Sequence, residues 1–444
     1  MQRHETDVLV AGGGTAGVVA AVAAARCGAR TALVEAKGYP GGIAVEGGTA
    51  LHSFYNLWKA FPGVDKRQVV RGLPAELVDR LDALGGTSGH AEAQVGWDYD
   101  SVCTAIDTEL YKLVALEMLE EAGVDLWLNT FVTGASREGD AVVAVDTAGR
   151  TPAERVVARQ FIDTTGYGDL AAYAGASFTE PNDYPVANSM GVGGVDVEAY
   201  HRWLAEHDAL SQYVEGTRDG EPGRIVRLDA IRDRLPDELV EAAREIGMAF
   251  VVTTVHDDYF MFVKLNARTP ESPTRREVVA AAELELRRRQ HKAIELIRRW
   301  IPGAQKAFIA RTSPSICIRR GRCIECDYDI TATDVTSARH FDDDVAAYGF
   351  HDFAPRIQIA DGGTYGIPYR ALCPAGIDNL LVAGMLITSD HEAHMSTRNT
   401  VACMAQGQAA GTAAALCADR RCTTRELPYA DLRERLVADG VYFE

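Results

Sequence analysis

Apolar positions give the first elements of this chain. Val8–Ala11 is apolar at every position and reads as a parallel strand buried on both faces. From Thr15 to about Cys27 the chain is almost entirely Ala and Val, a helix suited to burial against a sheet. Gly28 ends that helix, and "RTALVE" gives a second apolar strand closing on Glu35. Leu110, Leu113, Val114 and Met118 form a helical stripe ended by Gly123. Residues 126–166 alternate in short runs, with turn signals at 137–140 and Gly149, and predict a β-meander. Two further apolar strands run into Asp163 and Gly384, each followed by a loop and a helix. Between them, "REVVAAAELELRRRQHKAIELIRRW" is a charged amphipathic helix and "AFVVTTVHDDYFMFVKLNAR" reads as one or two strands.

The first strand, turn and helix carry chemistry. Gly12, Gly14 and Gly17 spell G-x-G-x-x-G: a tight turn, a close backbone approach to a pyrophosphate, and close packing of helix on strand. Thr15 and Ala16 open the helix, whose free N–H groups and partial positive charge suit a diphosphate. Glu35 lies 18 residues beyond Gly17, placed for both ribose hydroxyls and against a 2′-phosphate. Ala36 follows it, and the paired glycines Gly41 and Gly42 suit backbone passing over a flat ring. The ligand is therefore NAD or FAD, with the turns at Thr165, Gly166, Asp169 and Gly384 favouring FAD.

In this order, the pieces "VAGGGTAGVVAAVAAARCGARTALVE", "GLPAELVDRLDALGG", "LYKLVALEMLEEAGVDL", "DTTGYGDLAAYAGA", "IPYRALCPAGIDNLLVAG", "HEAHMSTRNTVACMAQGQAAGTAAAL" and "LRERLVADGVYFE" run almost from end to end. The chain resembles the FAD-dependent oxidoreductases related to the flavoprotein subunits of fumarate reductase and succinate dehydrogenase; residues 180–284 resemble it least. The resemblance implies FAD and redox chemistry on a small organic molecule. It departs where a covalent flavin would attach: no histidine precedes the glycine pair, and His52 follows it, so noncovalent FAD is expected. No second G-x-G-x-x-G unit provides for NADPH.

The expected fold class is α/β: a Rossmann-like FAD-binding domain with a parallel sheet and β-meander, plus an inserted α+β substrate or cap domain. Residues 1–50, 98–178 and 350–444 are assigned to the discontinuous FAD domain, 51–97 to a helical insertion and 179–349 to the cap. A length of 444 residues agrees with two cores.

The helix beginning near Asn399 and Thr400 points its N-terminus at the flavin, stabilising the negative charge of the reduced ring. His391, His394 and Arg398 before it are the candidate proton-transfer and anion-binding groups, and the resemblance adds Arg370 near substrate or flavin. Zinc is not expected, because His391 and His394 stand three apart and Met395 fills the position a zinc helix needs. Cys317, Cys323 and Cys326 read as packing, with a redox or cluster relay as the competing reading. His256, Tyr259 and Lys264 could face a substrate in the cap; on a strand with one wet face they read as ordinary polar positions.

A net charge of −18 excludes a phosphate-backbone binder. The apolar N-terminus is broken by "GGGTAG" before membrane length, so no membrane is expected, and nine cysteines fit a reducing cytoplasm. The expected function is two-electron oxidation or reduction of a small molecule; a non-redox isomerase or lyase and an electron-transfer subunit stay open. The electron donor or acceptor is in no motif, and a homo-oligomer is left open.

Overall fold

The computed structural model describes residues 2–47, 50–96, 102–352 and 357–444; Gly48 and the domain boundary expected near residue 98 lie outside them. Five parallel strands form the central sheet, in the order Leu380–Val382, Gln160–Asp163, Val8–Ala11, Thr31–Val34 and Asp125–Trp127. All four residues of Val8–Ala11 are buried, as a strand covered on both faces requires. Helix Thr15–Arg26 lies against this sheet, and the long helix Thr400–Arg420 crosses it in close contact. A side chain on Gly407 would run into the Ala16 carbonyl oxygen, and one on Gly411 into that of Ala20. Small residues let the two backbones touch.

The expected meander is present as Phe131–Glu138, Ala141–Ala148 and Glu154–Val157, with Gln2–Glu5 added in parallel at its edge. Residues 179–349 contribute strands to two larger sheets among the described residues. One runs Tyr259–Ala267, Val186–Gly193, Phe308–Thr312, and helix Arg276–Trp300 backs it through Leu286 and Ile294 against Val263 and Leu265. The other orders Val252–Thr253, Glu221–Ala230, Leu210–Arg218, Ala91–Val95, Val102–Thr104 and Leu51–His52.

That second sheet corrects the helical reading of residues 51–97. Among the described residues this segment holds one α-helix, Leu73–Ala83, while Ala91–Val95 pairs with Leu210–Arg218 of the cap. The inward Ala91 and Ala93 alternate with exposed positions, a two-residue period too short to read against the neighbouring helix. The stripe at 110–118 is also rotated. Helix Thr108–Glu121 buries Tyr111, Val114, Ala115 and Met118 and leaves Leu113 exposed. No helix among the described residues is long and apolar enough to cross a membrane.

Candidate active site

The first strand ends in a turn that only glycine accommodates. Gly12 has φ +97°, and a side chain there would come within 2.5 Å of the Thr164 carbonyl oxygen; one on Gly17 would collide with the Gly12 carbonyl. Gly14, by contrast, faces open space. Helix Thr15–Arg26 therefore begins with no side-chain cap, and so does helix Thr400–Arg420, where the Asn399 amide turns back to Met395 and Ser396 carbonyls. Both uncapped N-termini border one cavity of about 390 Å³, which runs from Glu35 and Ala36 past Gly12, Gly14, Thr15 and Ala16 to Gly42, Thr165, Gly166, Asp169, Gly384 and Thr400.

Glu35 anchors the far end. Its carboxylate accepts from Gly13 N at 2.6 Å and Lys37 N at 2.7 Å, and burial raises its pKa despite both bonds. The Thr165 turn hangs on Asp163, fully buried, whose carboxylate accepts from Thr165 N, Thr165 Oγ1 and Ala171 N. Burial still pushes Asp163 up to about 6. Gln406, also fully buried, holds Gly384 N at 2.8 Å and the Thr397 carbonyl at 2.8 Å, pinning the loop to the long helix. A dinucleotide fits these residues: an acid for ribose, an open glycine turn and helix N–H groups for diphosphate, and a volume in the small-ligand range.

Of the residues expected to bind cofactor, Gly17, Gly41 and Asn399 do not line this cavity. Gly17 and Gly41 pack behind it, where a side chain would meet Gly12 or Val45 and Tyr111, and Asn399 borders a second cavity. That second cavity, of about 330 Å³, shares Ile43, Cys317, Ile318, Met385, Arg398 and Thr400 with the first. Its remaining wall carries Arg227, Lys264, Arg319, Asp352, His52 and Ser189.

Arg398 stands where the cavities meet. It pairs with Asp352, lies 5.8 Å from the Tyr184 ring, and has a buried Nε with no hydrogen-bond partner among the described residues. The two histidines and Arg370, expected beside the flavin, lie away from both cavities. "HEAHMST" is a short helix capped by Asp390. His394 is fully buried, accepting from Ser389 Oγ at 3.3 Å and donating to the Arg319 carbonyl at 2.8 Å; burial holds it neutral, far below the ordinary histidine range. His391 faces outward, pairs with Asp183 at 2.8 Å and stacks on Tyr184 at 4.5 Å. Arg370 pairs with Asp343 and lies over Tyr328 and Phe341. None of the three lines either cavity.

Cys317, Cys323 and Cys326 are buried, with Cys323 held at 3.0 Å by Arg320 Nε. No group of three metal-ligating side chains occurs among the described residues. His256 bridges Asp107 and Asp219. Sequence reading missed Lys37, Glu46, Gln406 and Arg227 and gave Arg319 no place in the site; it offered Lys264 as a substrate contact but favoured an ordinary polar position. No local motif marks them.

Among solved structures, a geranylgeranyl bacteriochlorophyll reductase-like protein from Thermoplasma acidophilum matches at 14% identity and TM-score 0.49, covering 98% of this chain and 87% of its own. A p-nitrophenol 4-monooxygenase from Pseudomonas putida matches at 14% and 0.48, covering 99% and 89%. A myxobacterial chondrochloren halogenase matches at 13% and 0.48, covering 98% and 78%. Likeness at this level carries no information on the reaction. None of the curated proteins matches the chain. The family model for FAD dependent oxidoreductases matches residues 7–436. With the dinucleotide cavity built from the first strand, turn and helix, FAD is the cofactor, and the chain belongs to the FAD-dependent oxidoreductase family.

Proposed function

We propose that this protein carries out two-electron oxidation or reduction of a small organic carboxylate, as a dehydrogenase or reductase. The observation that carries the proposal is the cationic wall of the second cavity: Arg227, Arg319 and Arg398 against Asp352, in a chain of net charge −18. Concentrating positive charge there is costly unless an anion shares the space. The family resemblance to fumarate reductase and succinate dehydrogenase flavoproteins supports the same reaction type, through motif order alone.

In this reading Glu35 receives the ribose and the turn at Gly12, Gly14 and Gly17 receives the diphosphate. The flavin ring, held noncovalently, reaches Gly42, Arg398 and Thr400, where the two cavities meet. FAD supplies acceptance or delivery of two electrons. Arg398, fixed by Asp352, anchors the substrate carboxylate from the cofactor side, and Arg227 and Arg319 complete its charge balance. Ile43, Phe262 and Met385 exclude water from the space between. The cap thus closes over a cofactor held by the parallel-sheet part.

The test is anaerobic mixing of FAD-loaded protein with small 2-hydroxy, 2-amino and saturated dicarboxylic acids, and of the photoreduced protein with 2-oxo and unsaturated acids. One of these acids bleaches or restores the flavin absorbance near 450 nm, about where bound flavins absorb. Arg398→Met weakens that response at least about tenfold, as loss of a charge-assisted contact requires. A flavin indifferent to every acid, yet responsive to neutral alcohols or amines, overturns the proposal.

A further inference from the structure

One cation in the substrate cavity is uncommitted. Lys264 lies in strand Tyr259–Ala267 opposite Ser189, which lines the same cavity. Successive strand residues face opposite ways: Val263 and Leu265 enter the core under helix Arg276–Trp300, so Phe262 and Lys264 face the cavity. Arg398 is paired with Asp352, and Arg227 Nε donates to Gln212 at 2.7 Å. Lys264 has no side-chain hydrogen bond or ion pair among the described residues.

Its surroundings decide its protonation. Burial acts first, and Arg319 and Arg398 add repulsion; Asp352 and Asp229 pull the other way. His52, Arg227 and the Cys317 thiol, itself pushed up by burial, complete the charged or titratable wall. The outcome is an amine pushed down to about 7, which exchanges a proton near neutrality while a surface lysine remains fully charged. Neither histidine of the short helix reaches this cavity.

We propose that Lys264 is the proton-transfer residue of this enzyme, facing the hydroxyl or amino group of the bound carboxylate. The proposal rests on the redox reading above and adds the acid–base partner that reading lacks. On oxidation, the heteroatom–hydrogen bond breaks and an Nζ–H bond forms, and the heteroatom's electron pair closes the new C=O or C=N bond. The carbon-bound hydrogen leaves to FAD with both electrons of its C–H bond. On reduction each returns to its origin. Arg398 holds the carboxylate, so anchoring and proton transfer fall to different cations.

Two measurements on the FAD-loaded protein test this. In the first, trace acetic anhydride, which acylates only neutral amines, is applied from about pH 5 to 11 with peptide mass spectrometry. Lys264 labels with a midpoint near neutrality, well below the ordinary lysine value of about 10, with the other lysines as the internal reference. A Lys264 midpoint near that of the others, or no labelling of Lys264, overturns the proposal.

In the second, the acid that bleaches the wild-type flavin is used with Lys264→Met and Lys264→Arg. Both variants keep their flavin spectrum and its reduction by dithionite, while substrate-driven bleaching slows at least about 100-fold, the usual scale of acid–base catalysis. Arginine stays charged at every working pH, so a lysine that only anchored anion would be replaced by it. Bleaching by Lys264→Arg at the wild-type rate overturns the proposal alone. A wild-type flavin that no carboxylate bleaches overturns the redox reading and this proposal with it.

Discussion

His394 shows how burial reassigns a residue. Its two ring nitrogens are satisfied by Ser389 and the Arg319 backbone, and no charge compensates a proton on it. It holds the Arg319 backbone beside the cavity wall. The folded-state pKa lies below the unfolded value of about 6.5. Below that pH the unfolded chain takes a proton that the folded chain refuses, so stability is lost as pH falls and is unaffected above. Calorimetry checks this with His394→Gln, which keeps a donor and an acceptor without titrating. The fall in Tm between about pH 7 and 5 is smaller in the variant than in the wild type. Equal falls would sink the assignment.

Helix packing governs the next scale. The helix Thr400–Arg420 brings its N-terminus to the cofactor cavity only because Gly407 and Gly411 let it touch the helix Thr15–Arg26. Replacing Gly407 by Ala sets two effects against each other. Helix propensity gains about 1 kcal/mol. The added methyl meets the Ala16 backbone, which cannot rotate away, and overpacking costs about 1–3 kcal/mol or more. The steric effect wins, and it moves both uncapped N-termini at once. Gly407→Ala lowers Tm and weakens FAD binding, read from quenching of flavin fluorescence on titration. A variant with raised Tm and unchanged FAD affinity contradicts the close crossing.

Across the whole molecule, His256 joins the two parts. It bridges Asp107, the N-cap of helix Thr108–Glu121 beside the parallel sheet, to Asp219 in the turn between strands Leu210–Arg218 and Glu221–Ala230, at 2.7 and 3.1 Å. These carboxylates raise its pKa to about 9 against the burial that opposes them. Because the folded value exceeds the unfolded one, the stabilisation is complete below about pH 6.5 and disappears as pH rises through 9. Thermal unfolding of His256→Gln reads this out: its deficit against wild type is largest in mild acid and closes above about pH 9. A deficit constant with pH shows that the bridge carries no charge.

Sequence alone determined the cofactor half, because its determinants are local. Strand Val8–Ala11, the glycine turn, helix Thr15–Arg26 and Glu35 follow one another closely, and each is recognised by what its neighbours require. The β-meander was legible for the same reason. The second cavity was not: Arg227, Lys264, Arg319 and Arg398 come from four distant stretches, and only the fold makes them one wall. Period-two alternation placed Lys264 on one face of a strand without saying whether water or a closed cavity lay opposite. In "HEAHMSTR" three chemically suggestive residues sit side by side, and the tertiary structure sent His391 to the surface, His394 into the core and Arg398 to the cavity. Which side of a seven-residue helix is buried depends on what packs against it, here Arg319, Tyr184 and Asp352.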